Sequence, residues 1–107
     1  LSDNPSVDEL GRTLLSSDDC YVRRAAARTL GEIGGDSDAY SVLSRGLRDD
    51  DAWVRIEVSE ALWKIEPDLL VAVPFLIALL RHPSREIQER ARRLLAEMDV
   101  DVPDEER

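Results

Sequence analysis

The apolar residues of this 107-residue chain return with a long period and, inside each period, a short one. Laid in register, Leu15 falls on Leu47 and Leu80, offsets of 32 and 33 residues. The same offsets carry Val22 onto Val54 and Ile87, Ala26 onto Val58 and Ala91, Leu30 onto Leu62 and Leu95, and Ile33 onto Ile65 and Met98. A fixed period of this length is the mark of stacked structural repeats. Inside each unit the steps from Val22 to Ala26, Leu30 and Ile33 are four, four and three, which put all four residues on one face of an α-helix. Just ahead of this stretch stand Asp19, Asp51 and Ser84, again equivalent by the same offsets. The side-chain oxygen of each can accept from the free N–H groups of a helix start, so three helices are predicted to begin there.

Each unit also predicts an earlier helix, over Val7 to Leu15, Ala39 to Leu47 and Leu69 to Leu80, with Leu43, Leu47, Leu76 and Leu80 in its core. Ser6 and Glu9 form a capping box for the first. Gly34 and Gly35 after unit one, and Pro67 after unit two, fall where the chain must leave one helical hairpin and enter the next. The whole chain, 1–107, reads as one all-α domain with repeats at about 6–35, 36–67 and 68–99 and an acidic tail at 100–107.

Two stretches carry a family resemblance: Asp18-Asp19-Cys20-Tyr21-Val22-Arg23 through Leu30-Gly31-Glu32-Ile33-Gly34, and Asp49-Asp50-Asp51-Ala52-Trp53-Val54-Arg55 through Ala61-Leu62. Both resemble HEAT-like repeats of the short phycobilin-lyase type, as does Ala72-Val73-Pro74-Phe75-Leu76 at the start of a first helix, and the likeness runs from about residue 7 to 99. It implies a right-handed α-α superhelix, a solenoid of about three HEAT-like hairpins whose second helices line a concave surface. It further implies that the turn Asp and the Arg after the Val, here Asp18 with Arg23 and Asp50 with Arg55, tie each hairpin together and to its neighbour. Unit three departs from the pattern with Pro83 and Gln88, as suits a terminal, capping repeat. The fold so implied says little about function, because one scaffold serves many tasks.

Composition narrows the classes. Hydrophobic residues make up 43% and charged residues 35%, a balance that suits charged helices over a Leu/Ala/Val core. The formal charge of -9 repels phosphate backbones, which argues against nucleic acid and anionic membranes as partners. Positive charge is almost all Arg, with Lys64 the only lysine, a skew that carries the expectation of a salt-loving source. Cys20 is the only cysteine, so no internal disulfide can form, and a reducing, cytoplasmic setting is expected. The longest apolar run, Leu69 to Leu80, is too short to span a bilayer. The chain opens on Leu1 and not Met, from which a fragment of a longer protein is expected.

Candidate chemistry is sparse. His82 is the lone histidine, beside Pro83 in a turn, and reads as structural. Gly31, Gly34 and Gly35 mark a helix end, with no Lys at the spacing of a phosphate cradle. Cys20 sits beside Asp18 and Asp19, whose charge opposes a thiolate. Asp49-Asp50-Asp51 reads as a helix-start turn favoured by the helix dipole, and Asp99 through Asp101 and Asp104 to Arg107 as a solvated or frayed end and not a cation site. No enzyme activity, metal or cofactor is expected.

Two apolar features stand outside the core pattern. With the stripe of unit two set by Val54, Val58, Leu62 and Ile65, steps of roughly 100° put Ile56 and Trp63 on nearly the opposite side of that helix. Glu60 lies between them, and Arg24, Arg28 and Arg93 take equivalent outward positions in the other units. Two readings stay open: a partner-binding patch in the middle of the concave surface, or a pair covered by the edge of unit one or three. Tyr21 and Trp53 are equivalent to each other and read as packing at the hairpin corner. The second feature is the first helix of unit three, where Val71, Pro74, Ile77 and Ala78 fill sides that a surface helix makes polar. The tail, a further repeat or a second copy of the chain would cover it, the last giving a homodimer. The function expected is that of a non-catalytic scaffold binding a partner protein through Arg24, Arg28, Ile56, Glu60, Trp63 and Arg93. The alternatives are an accessory part of a phycobilin-lyase-type tetrapyrrole attachment enzyme, implied by the resemblance, and a purely structural piece of a longer array.

Overall fold

Six helices follow one another among the described residues: α1 (Val7–Ser16), α2 (Cys20–Ile33), α3 (Ser37–Gly46), α4 (Ala52–Ile65), α5 (Val73–Leu79) and α6 (Arg85–Glu97). The computed structural model describes residues 6–34 and 37–102, so Gly35 and the tail from 103 onward lie outside the described residues. The helix starts are fixed by the side chains that the repeat alignment singles out. Asp19 accepts from the Tyr21 N–H at 2.8 Å, Asp51 from Val54 at 3.0 Å and Ser84 from Ile87 at 3.4 Å. At α1, Ser6 accepts from the Glu9 N–H while the Glu9 carboxylate accepts from the Ser6 N–H, which satisfies two free donors reciprocally. Helix α2 ends at Gly34, whose φ of 65° is open to glycine and strained for other residues.

The helices pair as hairpins, α1 with α2, α3 with α4 and α5 with α6, and the hairpins stack. The result is a slab of 51 × 30 × 18 Å, whose thinnest dimension is close to two helix diameters of about 10 Å each. Stacking is not uniform. Units one and two meet through both layers, α1 against α3 and α2 against α4. The α2/α4 contact is close because Gly31 faces Ala61, where an added Cβ would stand 2.8 Å from the Ala61 Cβ. Unit three instead leans on α4 through both α5 and α6, and α5 makes no comparable contact with α3.

This asymmetry divides the core in two. One cluster joins units one and two around Leu14, Leu30, Leu43, Val54, Val58 and Leu62. The other gathers Leu76, Leu80, Ile87, Leu94 and Leu95 of unit three around Ile56 of α4. Helix α4 is therefore apolar on two sides, one for each neighbour, as a helix enclosed between two others must be. At the open end the stripe of unit one is only half covered. Val22 and Ile33 remain 43% and 47% exposed, while their equivalents Val54 and Ile87, and Met98, are buried.

The first helix of unit three is shorter than predicted. It begins at Val73, and Leu69 to Val71 form an exposed stretch ahead of it, with Pro74 at the first turn, where its missing N–H costs nothing. Of the four residues expected to need a cover, Val71, Pro74 and Ala78 are exposed, and only Ile77 packs against the second cluster. The chain end is more ordered than a frayed tail as far as Val102. Asp99 takes a left-handed φ of 62°, its N–H donates to the Ala96 carbonyl and that of Val100 to the Leu95 carbonyl, both at 3.0 Å. This is a Schellman stop, and Val100 and Val102 pack on the second cluster.

Candidate interaction surface

The second helices carry a charged surface that spans all three units. A groove of about 310 Å³ crosses them, lined by Arg28 and Glu32 of α2, Glu57, Glu60, Ala61 and Lys64 of α4, and Arg90 of α6. Ion pairs cross between helices within it. Arg28 donates to Glu57 at 2.7 Å and Arg90 to Glu60 at 2.8 Å, while Arg24 lies 3.9 Å from Glu57. The hydrogen bond to Glu57 raises the Arg28 pKa further above its ordinary value. Partly exposed pairs of this kind contribute at most about 1 kcal/mol each, so their effect is to hold long side chains in place. Lys64 of the groove and Arg93, exposed at the position equivalent to Arg28 and Glu60, have no ion-pair partner among the described residues.

Ile56 does not belong to this surface. It is 2% exposed and sits in the second core cluster, because unit three leans over the side of α4 that faces away from unit one. The expectation of an exposed Ile56 anchor is thus overturned in favour of its alternative, cover by unit three. Trp63 is half-buried against the same cluster. Arg24 is also engaged: its guanidinium lies 5.2 Å from the Trp53 ring centroid and 5.8 Å from that of Tyr21, so the two equivalent aromatic residues bracket it from adjacent units. Trp53 packs against the second cluster, whereas Tyr21 is 72% exposed. The apolar girdle of α4 was the available signal. A helix with apolar residues on opposite sides has two packed neighbours, and three stacked units leave only α4 in that position.

On the turn side, a repeated polar device ties the hairpins. Ser17, Asp49 and His82 are equivalent, and the side chain of each accepts from the backbone N–H two residues on, at 3.2, 2.9 and 3.0 Å. Their carbonyls accept from Arg23 at 2.8 Å, Arg55 at 2.6 Å and Gln88 at 2.6 Å. Between units one and two, Arg23 in addition grips the Asp49 carboxylate with Nε at 2.9 Å and Nη2 at 3.1 Å. That hydrogen bonding raises its pKa further above the ordinary value. The main carboxylate of this tie is Asp49, which takes two hydrogen bonds from Arg23; Asp50 adds a longer contact and Asp18 none that is seen. Asp50 is almost fully exposed at 3.4 Å from Arg23, and Asp18 is exposed. Unit three keeps the bond within the hairpin through Gln88, but His82 replaces the carboxylate.

Burial pushes the Cys20 thiol up, and the Asp51 carboxylate adds to this; Asp19 contributes least. Among the described residues no group of His, Cys, Asp and Glu is arranged to hold a metal ion, and no helix is long and apolar enough to cross a membrane.

Comparison with known proteins gives one positive result: a family model described as HEAT repeats matches residues 7–96. No curated protein and no solved structure matches the chain.

Proposed function

The chain belongs to the HEAT repeat family, and from that premise we propose that it is a non-catalytic scaffold that binds a partner protein along its second helices. HEAT repeats generally serve protein–protein interaction. The observation that carries the reading is the groove across α2, α4 and α6, where six of the seven lining residues are charged and side chains are already held by Arg28–Glu57 and Arg90–Glu60 pairs. Held side chains lose less freedom when a partner arrives, and interleaved charges select a partner by complementarity. Lys64 and Arg93 supply cations not committed to a described carboxylate, Arg28 and Glu60 the paired rim, and Trp63 a partly exposed aromatic edge beside them. Arg24 orders the surface from behind through Tyr21 and Trp53. Ile56 has no contact role in this scheme. A tetrapyrrole-handling role draws no support from the groove, whose charged lining offers no broad apolar wall to a flat macrocycle.

The test is capture of binding proteins from the source lysate with the unmodified chain and with a Lys64→Glu, Arg93→Glu variant. Both positions are exposed, so helicity and unfolding midpoint are expected to stay unchanged. A protein retained by the unmodified chain and lost by the variant supports the reading. An identical set on both, or none on either, sinks it.

A further inference from the structure

The charges of the second helices are ordered in rows across the stack. Glu32 of α2, Lys64 of α4 and Glu97 of α6 are equivalent by the offsets of 32 and 33 residues, and all three are exposed. One turn earlier stand Arg28, Glu60 and Arg93, so one row reads negative, positive, negative and the other its inverse. Arg28 and Glu60 are committed to Glu57 and Arg90, whereas Glu32, Lys64 and Glu97 have no ion-pair partner among the described residues. Glu32 and Glu97 also stand in the last turns of α2 and α6, neither of which carries a basic residue there. A carboxylate at the negative end of a helix dipole is disfavoured, and an arriving cation relieves it. Two such carboxylates flank one free ammonium group.

We propose that this row, as part of the partner-binding face of the second helices on which the inference rests, seats a polyproline II segment of the partner with basic, acidic and basic side chains three residues apart. Packed helices lie about 8 to 10 Å from one another. Gly31 meets Ala61 across α2 and α4, and Arg90 of α6 reaches Glu60 directly, so the three charges follow at that spacing. A polyproline II chain repeats one face every three residues, a rise of about 9 Å, and so keeps step with the helices. A β-strand turns each third residue to its opposite face. An α-helix, about 10 Å across, would stand on the rims of a groove of about 310 Å³ instead of entering it. Trp63, half-buried one residue before Lys64, offers an aromatic edge of the kind that proline-rich segments dock against. The inverse order, acid, base, acid, would have to break the Arg28–Glu57 and Arg90–Glu60 pairs to use the other row.

The probe is the blocked peptide Lys-Pro-Pro-Glu-Pro-Pro-Lys, set against its isomer Lys-Pro-Pro-Lys-Pro-Pro-Glu, which has the same composition and net charge. Both are titrated into the full chain at low ionic strength, where exposed charges are least screened, and followed by amide chemical shifts. The first is expected to bind about fivefold tighter, since it makes three attractive pairings where the isomer makes one attractive and two repulsive. Its shifts should centre on Glu32, Lys64 and Glu97. Lys64→Glu, at an exposed position, is expected to remove the preference, because each peptide then makes two attractive pairings and one repulsive. Equal affinities for the unmodified chain, shifts centred elsewhere, or a preference that survives Lys64→Glu overturns the proposal. So does the absence of binding by either peptide up to about 5 mM. Where a lysate partner that depends on Lys64 and Arg93 is nonetheless captured, the scaffold reading stands and the row alone is refuted; where none is captured, both fall.

Discussion

Replacing Ile56 by alanine separates two accounts of α4. Were Ile56 an exposed anchor, its truncation would change stability by no more than about 0.5 kcal/mol, the ordinary range for surface positions. The structure instead gives it 2% exposure within the unit-three cluster, in company with Leu76, Ile87 and Leu94. Three carbon groups are lost from a closed site, worth about 2.4 kcal/mol at roughly 0.8 kcal/mol per methylene. The cavity left behind adds to this and brings the total to about 3 to 4 kcal/mol, within the range for buried Ile→Ala. Against a stability of roughly 5 to 15 kcal/mol for a domain of this size, that is a large fraction. The assay is urea unfolding followed by circular dichroism and by the fluorescence of Trp53 and Trp63, both of which pack against the affected cluster. With an m value of about 1 to 1.5 kcal/mol/M, the midpoint should fall by about 2 to 4 M. A fall below about 0.5 M would refute the reasoning. It would mean that unit three does not close over α4 and that the second cluster is not a core.

Gly31→Ala is expected to destabilise by about 1 to 3 kcal/mol despite the better helix propensity of alanine, because the new Cβ meets Ala61 Cβ and Cα at 2.8 and 2.9 Å and α2 must move off α4; thermal unfolding reads the sign directly. Asp49→Asn keeps an acceptor for the Asp51 N–H but loses the charge that holds Arg23, and should cost about 1 to 2 kcal/mol. Since both side chains are nearly closed to water, that cost should change little between low and high salt, which a urea titration at two ionic strengths checks. Asp99→Gly should raise stability by about 0.5 to 1 kcal/mol, because glycine takes the left-handed φ of the α6 stop without strain; a lowered midpoint would contradict the cap. The raised Cys20 pKa means that the folded chain holds the thiol proton more tightly than the unfolded chain. This stabilising contribution is complete below the unfolded thiol's value of about 8.5 and is lost as pH rises toward the folded value, so alkylation should be slower than for a free thiol at pH 8 and its pH profile displaced upward.

The local layer of this structure is legible along the chain. Asp19, Asp51 and Ser84 cap the second helices, Ser6 and Glu9 close a capping box, and Gly34 turns the chain, because each acts on backbone groups within a few residues of itself. The period that places Leu30 over Leu62 and Leu95 likewise determines three stacked hairpins, since no unit can bury its stripe alone. What periodicity along one chain does not contain is the position of a neighbouring helix. Ile56 looked outward because the helical wheel of α4 shows directions without saying what lies in them; α5 and α6 decide that this direction is inward. The tie to Arg23 came chiefly from Asp49 instead of Asp18 or Asp50, because three consecutive acids are indistinguishable by type and only the meeting of two turns selects one. Val22 and Val54 share a residue type and a register, yet one is 43% exposed and the other buried. Sequence fixes which side of a helix is apolar, through periodicity, and tertiary stacking decides which apolar sides find a partner, because burial belongs to pairs of surfaces and not to residues.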